Sequence, residues 1–513
     1  MQSLNRRQFG LSASALAVSV GVHTSSASAQ TDAPSESLGV AVCGVNGRGM
    51  SHVGGFGHDP RTKINVLIDI DEAVGEQKAD QVAKMQGKRP RVVRDVRDVL
   101  DADDVQILTC ATPNHWHALI GVWAMQAGKD VYIEKPISHN IHEGRALVAA
   151  AKKYDRMFQT GTQCRSSDGV RDTMDFIAAG GIGEVKLARG LCYKRRKSIG
   201  ALGDYAIPDS VDFDQWSGPA TFTDPKLTRQ RFHYDWHWQR HYGNGDSGNQ
   251  GPHQTDIARW GLELDRHPNA ILTYAGRLGY QAERKDPNYV DAGDTANTQV
   301  SIYDYGDKTI VFETRGLSVN DSADDELNTL FGSTRGNKIG VVFYGTEGYA
   351  VQGPDYATGR IFDTNKKLVK TFRHNSKENG QLNNVHMSNF IDAVVSRDSS
   401  SLNADARCGH LSAAIAHLGN TSYYMGQENR VAPGAIEEAV NAFASQDDDA
   451  ETLRRTLKHL SDNGVDPATD QLSLGPALRF DPNAEVYVDN VDANAWLGRE
   501  YRKGFEVPSA EEV

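Results

Sequence analysis

The sequence predicts an α/β fold in two parts. The first is a doubly wound parallel sheet, and the second is an α+β domain with an open, mostly antiparallel sheet. Short apolar runs alternate with helical segments between residues 38 and 160, which is the βαβ rhythm of a parallel sheet covered on both faces. Beyond residue 184 strand-like runs follow one another closely, which is typical of antiparallel pairing.

Each element is read from its apolar periodicity and its bounding glycines. The first sheet is predicted from strands at 38–43, 64–68, 91–93, 105–110, 131–133 and 157–160, with helices at 72–86, 115–127 and 141–154. The second part is predicted from a helix at 168–179 and strands at 184–193, 270–274, 298–303, 309–313, 339–344 and 349–352. Helices return from residue 384, and the aromatic and arginine-rich tail at 490–507 is predicted to wrap another surface.

The N-terminal 29 residues predict an export signal. Arg6 and Arg7 precede a weakly apolar run and the small-residue sequence Ala27-Ser28-Ala29, the pattern of a twin-arginine leader and its cleavage site. We therefore expect the twin-arginine export machinery as a partner and a periplasmic or secreted location. The remaining chain is divided into domains at 38–161 and 162–430 and a helical extension with a wrapping tail at 431–513.

Composition restricts the partners further. The 513-residue chain is 39% hydrophobic and carries a net charge of −12, which argues against nucleic acid or an anionic membrane surface as the main partner. After the leader no apolar run reaches the roughly 18 residues of a spanning helix, so we expect no membrane anchor. The five cysteines have no metal-like spacing, so we expect buried thiols and no metal site.

A glycine-rich turn follows the first strand and opens a helix. Glycines at Gly44, Gly47 and Gly49 suit a tight turn and a close approach to pyrophosphate, which the helix N-terminus favours. Asn46 stands where the second glycine of this fingerprint is usual, and asparagine tolerates a positive φ. With Arg48 these residues predict the dinucleotide site of a Rossmann domain, the alternative being a purely structural turn.

Asp69 ends the second strand, 20 residues beyond Gly49. A carboxylate there would accept the ribose hydroxyls and repel a 2′-phosphate, which favours NAD over NADP. Arg48 could offset part of that repulsion, so both nucleotides remain open.

The turns after the fourth and fifth strands also end at the ligand-binding edge of such a sheet. Pro113 stiffens the first turn, and Asn114 either caps the next helix or contacts the cofactor. His115 and His117 lack an acidic or cysteine neighbour that would complete a metal site. In the second turn Lys135 either faces solvent or polarises a substrate hydroxyl.

Taken together, these motifs resemble the Gfo/Idh/MocA family, oxidoreductases related to glucose–fructose oxidoreductase and inositol dehydrogenase. The resemblance covers residues 38 to 426, and the stretch at 214–219 is similar to exported bacterial members. It implies a nicotinamide nucleotide lodged between the two domains and a homodimer or homotetramer, because family sheets often pair face to face. It implies cofactor contacts from Pro113, Asn114, His117, Glu134, Lys135 and Gln163.

The stretch at 245–256 resembles the family's catalytic segment. The family usually has an acid four residues before a histidine and another acid three residues after it. His253 and Asp256 match, whereas Asn249 replaces the first acid and cannot ionise. The resemblance implies that His253 takes the substrate's hydroxyl proton, with Lys135 as its electrostatic partner. Asp256 lies one helical turn beyond His253, and this spacing predicts that it orients the histidine.

Two further clusters bear on the substrate. The aromatic stretch at 232–242 would suit the apolar faces of a sugar, although such residues are also ordinary core material. The basic stretch at 194–197 is expected to be a solvated loop, with recognition of an acidic sugar as the alternative.

We therefore expect an NAD(P)-dependent oxidoreductase acting on a sugar, cyclitol or related polyhydroxylated compound. An exported enzyme finds no free nicotinamide pool, so its cofactor is expected to be tightly bound. Two alternatives stay open: a redox-neutral, NAD-dependent glycoside-cleaving enzyme, and a non-catalytic sugar-binding protein.

Overall fold

The computed structural model describes residues 37–221, 227–319, 325–332, 336–443 and 445–513. The predicted leader, residues 1–29, lies outside the described residues. In the part of the chain that is described, no helix is both long and apolar enough to cross a bilayer.

The first sheet has six parallel strands in the order β3-β2-β1-β4-β5-β6. In chain order its elements are β1 (Leu38–Cys43), α1 (Gly49–His58), β2 (Thr62–Ile68), α2 (Glu72–Gln86), β3 (Arg91–Val93), β4 (Ile107–Cys110), α3 (Asn114–Gln126), β5 (Asp130–Ile133), α4 (Ile141–Lys153) and β6 (Phe158–Thr160). The strand order reverses between β1 and β4, so a crevice opens at their carboxyl ends. The predicted doubly wound parallel sheet is confirmed.

The second sheet has eleven strands, and its main path runs β14-β13-β12-β11-β7-β10-β9-β8-β16-β17, with β15 beside β8. Its middle elements are α5 (Asp168–Ala178), β7 (Val185–Tyr193), α6 (Phe213–Ser217), α7 (Gly245–Asn249), α8 (Gly251–Gly261), β8 (Ala270–Gly276), α9 (Tyr280–Arg284), β9 (Thr298–Asp304), β10 (Thr309–Arg315), α10 (Asp325–Phe331), β11 (Lys338–Gly345), β12 (Gly348–Gln352), β13 (Thr358–Asp363) and β14 (Leu368–Arg373). Only β7 and β10 pair in parallel among these neighbours. The mostly antiparallel sheet is confirmed. Strands β13 and β14 were not predicted; β14 is the edge strand and is exposed or half-buried throughout.

The remaining elements pack against the two sheets or add strands to the second one. They are α11 (Ser376–Asn379), α12 (Leu382–Ser396), α13 (Ala406–Met425), α14 (Pro433–Ala442), α15 (Asp449–Asp462), β15 (Ser473–Leu474), β16 (Leu478–Asp481), β17 (Val486–Tyr487) and α16 (Val491–Asn494). Helix α12 packs on α1, where the ring centroids of Phe56 and Phe390 lie 6.1 Å apart. A Cβ on Gly55 would lie 2.1 Å from the Met387 sulfur, so this helix pair is closely packed.

Helices cover both faces of the second sheet. Alternate residues of β7 and β10, such as Ala188 and Phe312, pack with Ile257 of α8 on one face. On the opposite face Leu187 and Val311 share a cluster with α14 and α15, which contribute Ile436, Val440, Leu453 and Leu460. The extension at the end of the chain therefore buries a sheet face that would otherwise be open.

The C-terminal tail packs on the first sheet's side of the molecule. Phe505, Val507 and Val513 join the apolar cluster of α3 and α4. The rings of Trp116 and Phe505 meet edge to face at 5.6 Å. The predicted wrapping surface is thus the outer side of the parallel-sheet domain.

Candidate active site

A cavity of about 870 Å³ lies at the carboxyl ends of the parallel strands, within the usual size range of ligand sites. It brings together most of the site residues predicted from the sequence: Gly44, Asn46, Gly47, Arg48, Asp69, Pro113, Asn114, His117, Glu134, Lys135, Gln163, Asn249 and His253. Gly49 and Asp256 do not line it.

The glycines of the first turn have separate roles. Gly44 has a φ of 79°, and a Cβ there would lie 2.8 Å from the Ala111 carbonyl oxygen. A Cβ on Gly49 would lie 2.0 Å from the Gly44 carbonyl oxygen, so Gly49 lets the helix start against the turn. A Cβ on Gly47 would meet nothing within 4 Å, which leaves room for a phosphate at the cavity wall. The positive φ lies at Gly44, so the expectation that Asn46 must tolerate one was wrong.

Asp69 marks one end of the cavity. Its side-chain oxygens accept hydrogen bonds from the backbone N–H of Val45 at 2.8 Å and of Asp71 at 3.0 Å. Burial raises the pKa of this carboxyl, and the two N–H groups oppose that rise. Ile70 and Arg94 line the same end. The carboxylate is therefore held rigidly against the glycine-rich turn, where a ribose would lie.

Three side chains at the turn after β4 form hydrogen bonds with other parts of the protein. Asn114 is the first residue of α3, and its Nδ2 donates to Asn244 Oδ1 at 3.0 Å, so the capping alternative that was left open is excluded. Both ring nitrogens of His115 lie near backbone carbonyls. His117 lies 2.7 Å from the Pro136 oxygen and 2.8 Å from the Thr112 oxygen. The polar atoms of His117 are thus used to fix the two turns, although its ring lines the cavity.

Glu134 is a buried acceptor in the cavity floor. Its Oε1 lies 2.7 Å from Arg48 Nε and 3.2 Å from His52 Nε2, and Gln163 Nε2 lies 3.4 Å from the same oxygen. Burial opposes ionisation, but Arg48 and His52 together hold the Glu134 pKa well below its usual value. Arg48 also reaches Asn383 at 3.4 Å. Its guanidinium is therefore committed to these partners.

Lys135 crosses the cavity to the second domain. Its Nζ donates to the backbone carbonyl of Asn249 at 2.5 Å. Burial lowers the Lys135 pKa to about 8, against the opposing charge of Glu134. The ammonium is therefore anchored at a defined point and titrates close to neutral pH.

His253 lies in the first turn of α8 and faces the same cavity. Burial, and then the charge of Lys135, lowers its pKa to about 3. The centroid of its ring lies 4.7 Å from that of Tyr356, and its Nδ1 is buried without a partner among the described residues. His253 is thus a neutral imidazole in the folded protein.

Asp256 lies behind the cavity wall. Its two oxygens accept from Arg165 Nε and Nη2, each at 2.9 Å, and Oδ1 also accepts from Ser412 at 2.8 Å. The carboxylate is fully buried in this ion pair. The structure gives Asp256 a structural role in this ion pair, which corrects the orienting role toward His253 that the spacing predicted.

A long connection between β7 and α7 covers the cavity. This cover segment, residues 201–221 and 227–242, contributes the lining residues Gln215, Trp216, His233, Tyr234, Trp236 and His237. Other aromatics of the predicted sugar-binding stretch belong to the core instead, namely Phe232, Trp238 and Tyr242. Part of the aromatic stretch therefore faces the cavity, where a sugar could contact it, and part of it is core material.

The cover segment is tied to the end of β2, near Asp69. Val211 forms a β-bridge with Asp71, and the Glu72 N–H donates to the Ser210 carbonyl at 3.2 Å. His233 Nε2 lies 3.1 Å from the Asp71 carboxylate. These contacts close the cavity on the side of the predicted ribose site.

The basic stretch at 194–197 is only partly solvated. Arg196 is buried and pairs with Asp246 at 2.6 Å, and its guanidinium stacks on Trp238 at 5.1 Å. The expectation of a solvated loop was wrong at this position, because the charge is neutralised inside the protein. Arg196 does not line the cavity.

Some lining residues were not predicted from the sequence. Tyr356 lies in the turn between β12 and β13, and Gln254 Nε2 donates to its hydroxyl at 2.9 Å. Asp355 beside it and Gln381, Leu382 and Asn383 at the start of α12 also face the cavity. Their positions depend on strands and packing that carry no local motif.

The part of the chain that forms the first sheet matches a known protein family. Residues 38–162 match the family described as "Oxidoreductase family, NAD-binding Rossmann fold", Gfo/Idh/MocA. The chain carries a Gfo/Idh/MocA NAD-binding domain. A "Glycosyl hydrolase family 109 protein" of Shewanella baltica is 30% identical over 118 residues, 22% of this chain and 26% of that protein. An "Alpha-N-acetylgalactosaminidase" of Shewanella oneidensis is 27% identical over 176 residues, 30% of this chain and 38% of that protein.

The chain therefore spans between about a quarter and two-fifths of the length of these curated relatives. The similarity in fold to solved structures covers a larger share of this chain than the sequence similarity does. Levoglucosan dehydrogenase in complex with NADH and levoglucosan superposes with a TM-score of 0.53 at 17% identity, covering 75% of this chain and 97% of that one. GenD2 from gentamicin A biosynthesis, in complex with NAD, gives a TM-score of 0.53 at 19% identity, covering 76% and 95%. The two-sheet architecture is thus shared with these solved structures.

Proposed function

We propose that the protein is an NAD(P)-dependent oxidoreductase that acts on the CH–OH group of a sugar, cyclitol or related polyhydroxylated compound. One observation carries this proposal. A single cavity joins the glycine-rich turn and Asp69 with Lys135 and His253. Nucleotide-binding groups and proton-transfer groups therefore share one continuous site.

The residues present fit a nicotinamide nucleotide. Gly47 leaves open space at the wall for a pyrophosphate, and the N-terminus of α1 favours that negative charge. Asp69 is placed to accept ribose hydroxyls. When bound, the nucleotide supplies the carbon that accepts the hydride.

The protein's own groups perform the proton transfer. Neutral His253 accepts the hydroxyl proton, a role that needs an unprotonated imidazole. The Lys135 ammonium stabilises the negative charge that develops on the oxygen. The Lys135–Asn249 hydrogen bond holds the ammonium in place, so little reorganisation is needed during the reaction.

NAD is the favoured nucleotide in this proposal. Asp69 is rigid and buried, and a 2′-phosphate beside it would be repelled. Arg48 could have offset that repulsion, but its guanidinium is bonded to Glu134. Asp69→Ser should move the ratio of NADP to NAD affinity upward by at least roughly tenfold, or 1.4 kcal/mol, measured by nucleotide titration.

Tight retention of the nucleotide is part of the proposal. The cover segment closes over the ribose side of the cavity through Val211, Ser210 and His233. Export through the twin-arginine route to the periplasm, proposed from Arg6 and Arg7, would require the cofactor to travel with the folded protein.

The test is direct. Purified protein is denatured, and the released nucleotide is identified by mass and absorbance. A panel of sugars and cyclitols is then offered to the native protein without added cofactor, and absorbance at 340 nm is followed. Protein that contains no nucleotide and takes none up would refute the proposal. His253→Ala should abolish turnover, whereas a non-catalytic binder would keep its sugar affinity.

A second candidate is redox-neutral glycoside cleavage. It is favoured by the curated relatives of the N-terminal part, which are named as glycosyl hydrolases and an α-N-acetylgalactosaminidase. In that case the hydride removed from the sugar is returned after a bond is cleaved. Release of free sugar from a glycoside without net oxidation would favour this candidate, whereas a lactone or ketone product would favour the oxidoreductase.

A further inference from the structure

His267, His410 and Glu485 form a cluster of potential metal ligands, and none of the three lines the nucleotide cavity. We propose that this cluster binds a divalent transition-metal ion, and that zinc is the ion its ligand set favours. The proposal goes beyond the oxidoreductase function and does not depend on it.

Three separate segments bring the ligands together. His267 lies in the connection between α8 and β8, His410 lies near the start of α13, and Glu485 lies in the turn between β16 and β17. Even the last two are 75 residues apart in the sequence. No local spacing marks such a site, so the expectation of no metal, which was drawn from other residues, did not consider these three. A bound ion would fasten the β16–β17 turn to α13.

The distances suit a small metal ion. His267 Nε2 lies 3.1 Å from Glu485 Oε1, and His410 Nε2 lies 3.0 Å from Oε2. One potential ligand atom of each residue lies within 4.8 Å of the other two. Two ligands of a tetrahedral zinc ion with bonds of about 2.1 Å are about 3.4 Å apart, so small side-chain movements would accommodate the ion. Imidazole and carboxylate groups are both zinc ligands.

The hydrogen bonding of the two imidazoles is incomplete. His267 is 1% exposed, yet neither of its ring nitrogens has a hydrogen-bond partner among the described residues. Its Nε2 therefore approaches Glu485 without the direction of a hydrogen bond. In the same part of the chain, the buried His410 Nδ1 also has no partner. Buried polar atoms without partners are costly and call for an explanation, and an ion at Nε2 would supply a partner for His267.

Glu485 is held in place as a ligand should be. Its φ is 54°, a conformation that is costly for a residue with a side chain and is often kept at functional sites. Arg145 Nε donates to Oε2 at 2.9 Å, and its Nη2 donates to the Glu485 backbone carbonyl at 2.9 Å. Carboxylates that bind metals usually have such an additional hydrogen-bond partner. The Arg145 contact at Oε2 leaves Oε1 available beside His267.

The site can be reached from solvent. The Glu485 side chain is 19% exposed, whereas that of His267 is 1% exposed. An ion can therefore enter along the carboxylate, and water can fill the fourth position that three protein ligands leave open.

The parent protein provides the first test. The full chain is stripped of metal with a chelator, dialysed, incubated with zinc chloride and desalted, and retained zinc is measured by mass spectrometry. We expect about one zinc ion per chain, and a melting temperature at least about 2 °C above that of the stripped protein. Cobalt in place of zinc should give the visible absorption of a tetrahedral Co²⁺ site.

Two variants assign the site. In His267→Gln and His410→Gln the amide can still donate a hydrogen bond to Glu485, but it is a poor zinc ligand. We expect zinc affinity to fall at least about 100-fold, because loss of an outer partner alone costs up to that much. His58→Gln, at an exposed histidine of α1, should bind zinc like the parent. Parent protein that retains no zinc and gives no cobalt absorption, or glutamine variants that bind zinc as tightly as the parent, would overturn the inference.

Discussion

The side chain of Lys135 donates a 2.5 Å hydrogen bond to the backbone carbonyl of Asn249. The resemblance implied an acid at position 249, where this chain has asparagine. The hydrogen bond to Lys135 does not need that acid, because its acceptor is a main-chain oxygen. The bond connects the turn after β5 to the end of α7 across the cavity. It also brings the backbone of Asn249 to an ammonium whose pKa is about 8.

The first prediction concerns the pH dependence of catalysis. Lys135 stabilises the developing alkoxide only while charged, and its pKa is about 8. We expect kcat/KM to fall above about pH 8, approaching tenfold per pH unit. Lys135→Arg should remove this basic limb, since arginine stays charged, and Lys135→Met should cost roughly 100-fold or more at pH 7. A basic limb that survives unchanged in Lys135→Arg would contradict the assignment.

Replacement of Asn249 by aspartate tests the same contact from the opposite side. A carboxylate close to Lys135 favours the charged ammonium and should raise its pKa by about one unit or more. The basic limb of the kcat/KM profile should move upward by the same amount in Asn249→Asp. Asn249→Gln, which adds no charge, provides the control, and a limb that stays near pH 8 in Asn249→Asp would count against the proximity of the two groups.

Gly47 and Gly49 form a matched pair for the nucleotide site. A Cβ at Gly47 has open space, whereas a Cβ at Gly49 would lie 2.0 Å from the Gly44 carbonyl oxygen. Gly49→Ala should lower the melting temperature by several degrees, as a clash costing about 2 kcal/mol or more does. Gly47→Val should keep the melting temperature of nucleotide-free protein but weaken nucleotide binding at least about tenfold. Equal effects of both variants on folding would show that the wall at Gly47 is not free.

The contact between His233 and Asp71 is expected to slow nucleotide release. His233 is partly exposed, with 39% of its side chain accessible, so the pair is worth about 1 kcal/mol or less. His233→Ala should therefore speed dissociation of the bound nucleotide about two- to fivefold, followed by fluorescence in the presence of excess competitor. Asp71 is unsuitable for this test because it also caps α2. Slower or unchanged release would remove the cover segment from the explanation of retention.

Buried neutral histidines predict sensitivity to acid. Burial lowers the pKa of His115, His417 and His459 to about 3 and that of His386 to about 4. Below about pH 6.5 the unfolded chain binds protons that the folded chain does not, so stability falls as pH falls, by about 1.4 kcal/mol per pH unit for each such group. Urea midpoints measured from pH 7.5 to pH 5 should decrease, and His417→Asn should reduce the slope. A flat profile would mean that these imidazoles are protonated inside the fold.

The sequence was sufficient where function follows from local spacing. The glycine turn, Asp69 and Lys135 each follow directly on a strand of a parallel sheet, so their convergence on one crevice follows from topology. At Asp256 a prediction from spacing alone was wrong. Asp256 lies three residues from His253 on α8, but its carboxylate pairs with Arg165, which comes from a distant part of the chain. Likewise Arg196 and the anchors of the cover segment depend on partners far away in the chain, which no local pattern encodes. Which residues of the aromatic stretch at 232–242 face the cavity likewise depends on packing that the sequence does not encode locally.

The helices α14 and α15 change what the molecule offers to a second copy of itself. Ile436, Val440, Leu453 and Leu460 cover the face of the second sheet to which Leu187 and Val311 belong. That face is therefore buried within one polypeptide, and two copies of the chain cannot pair through it.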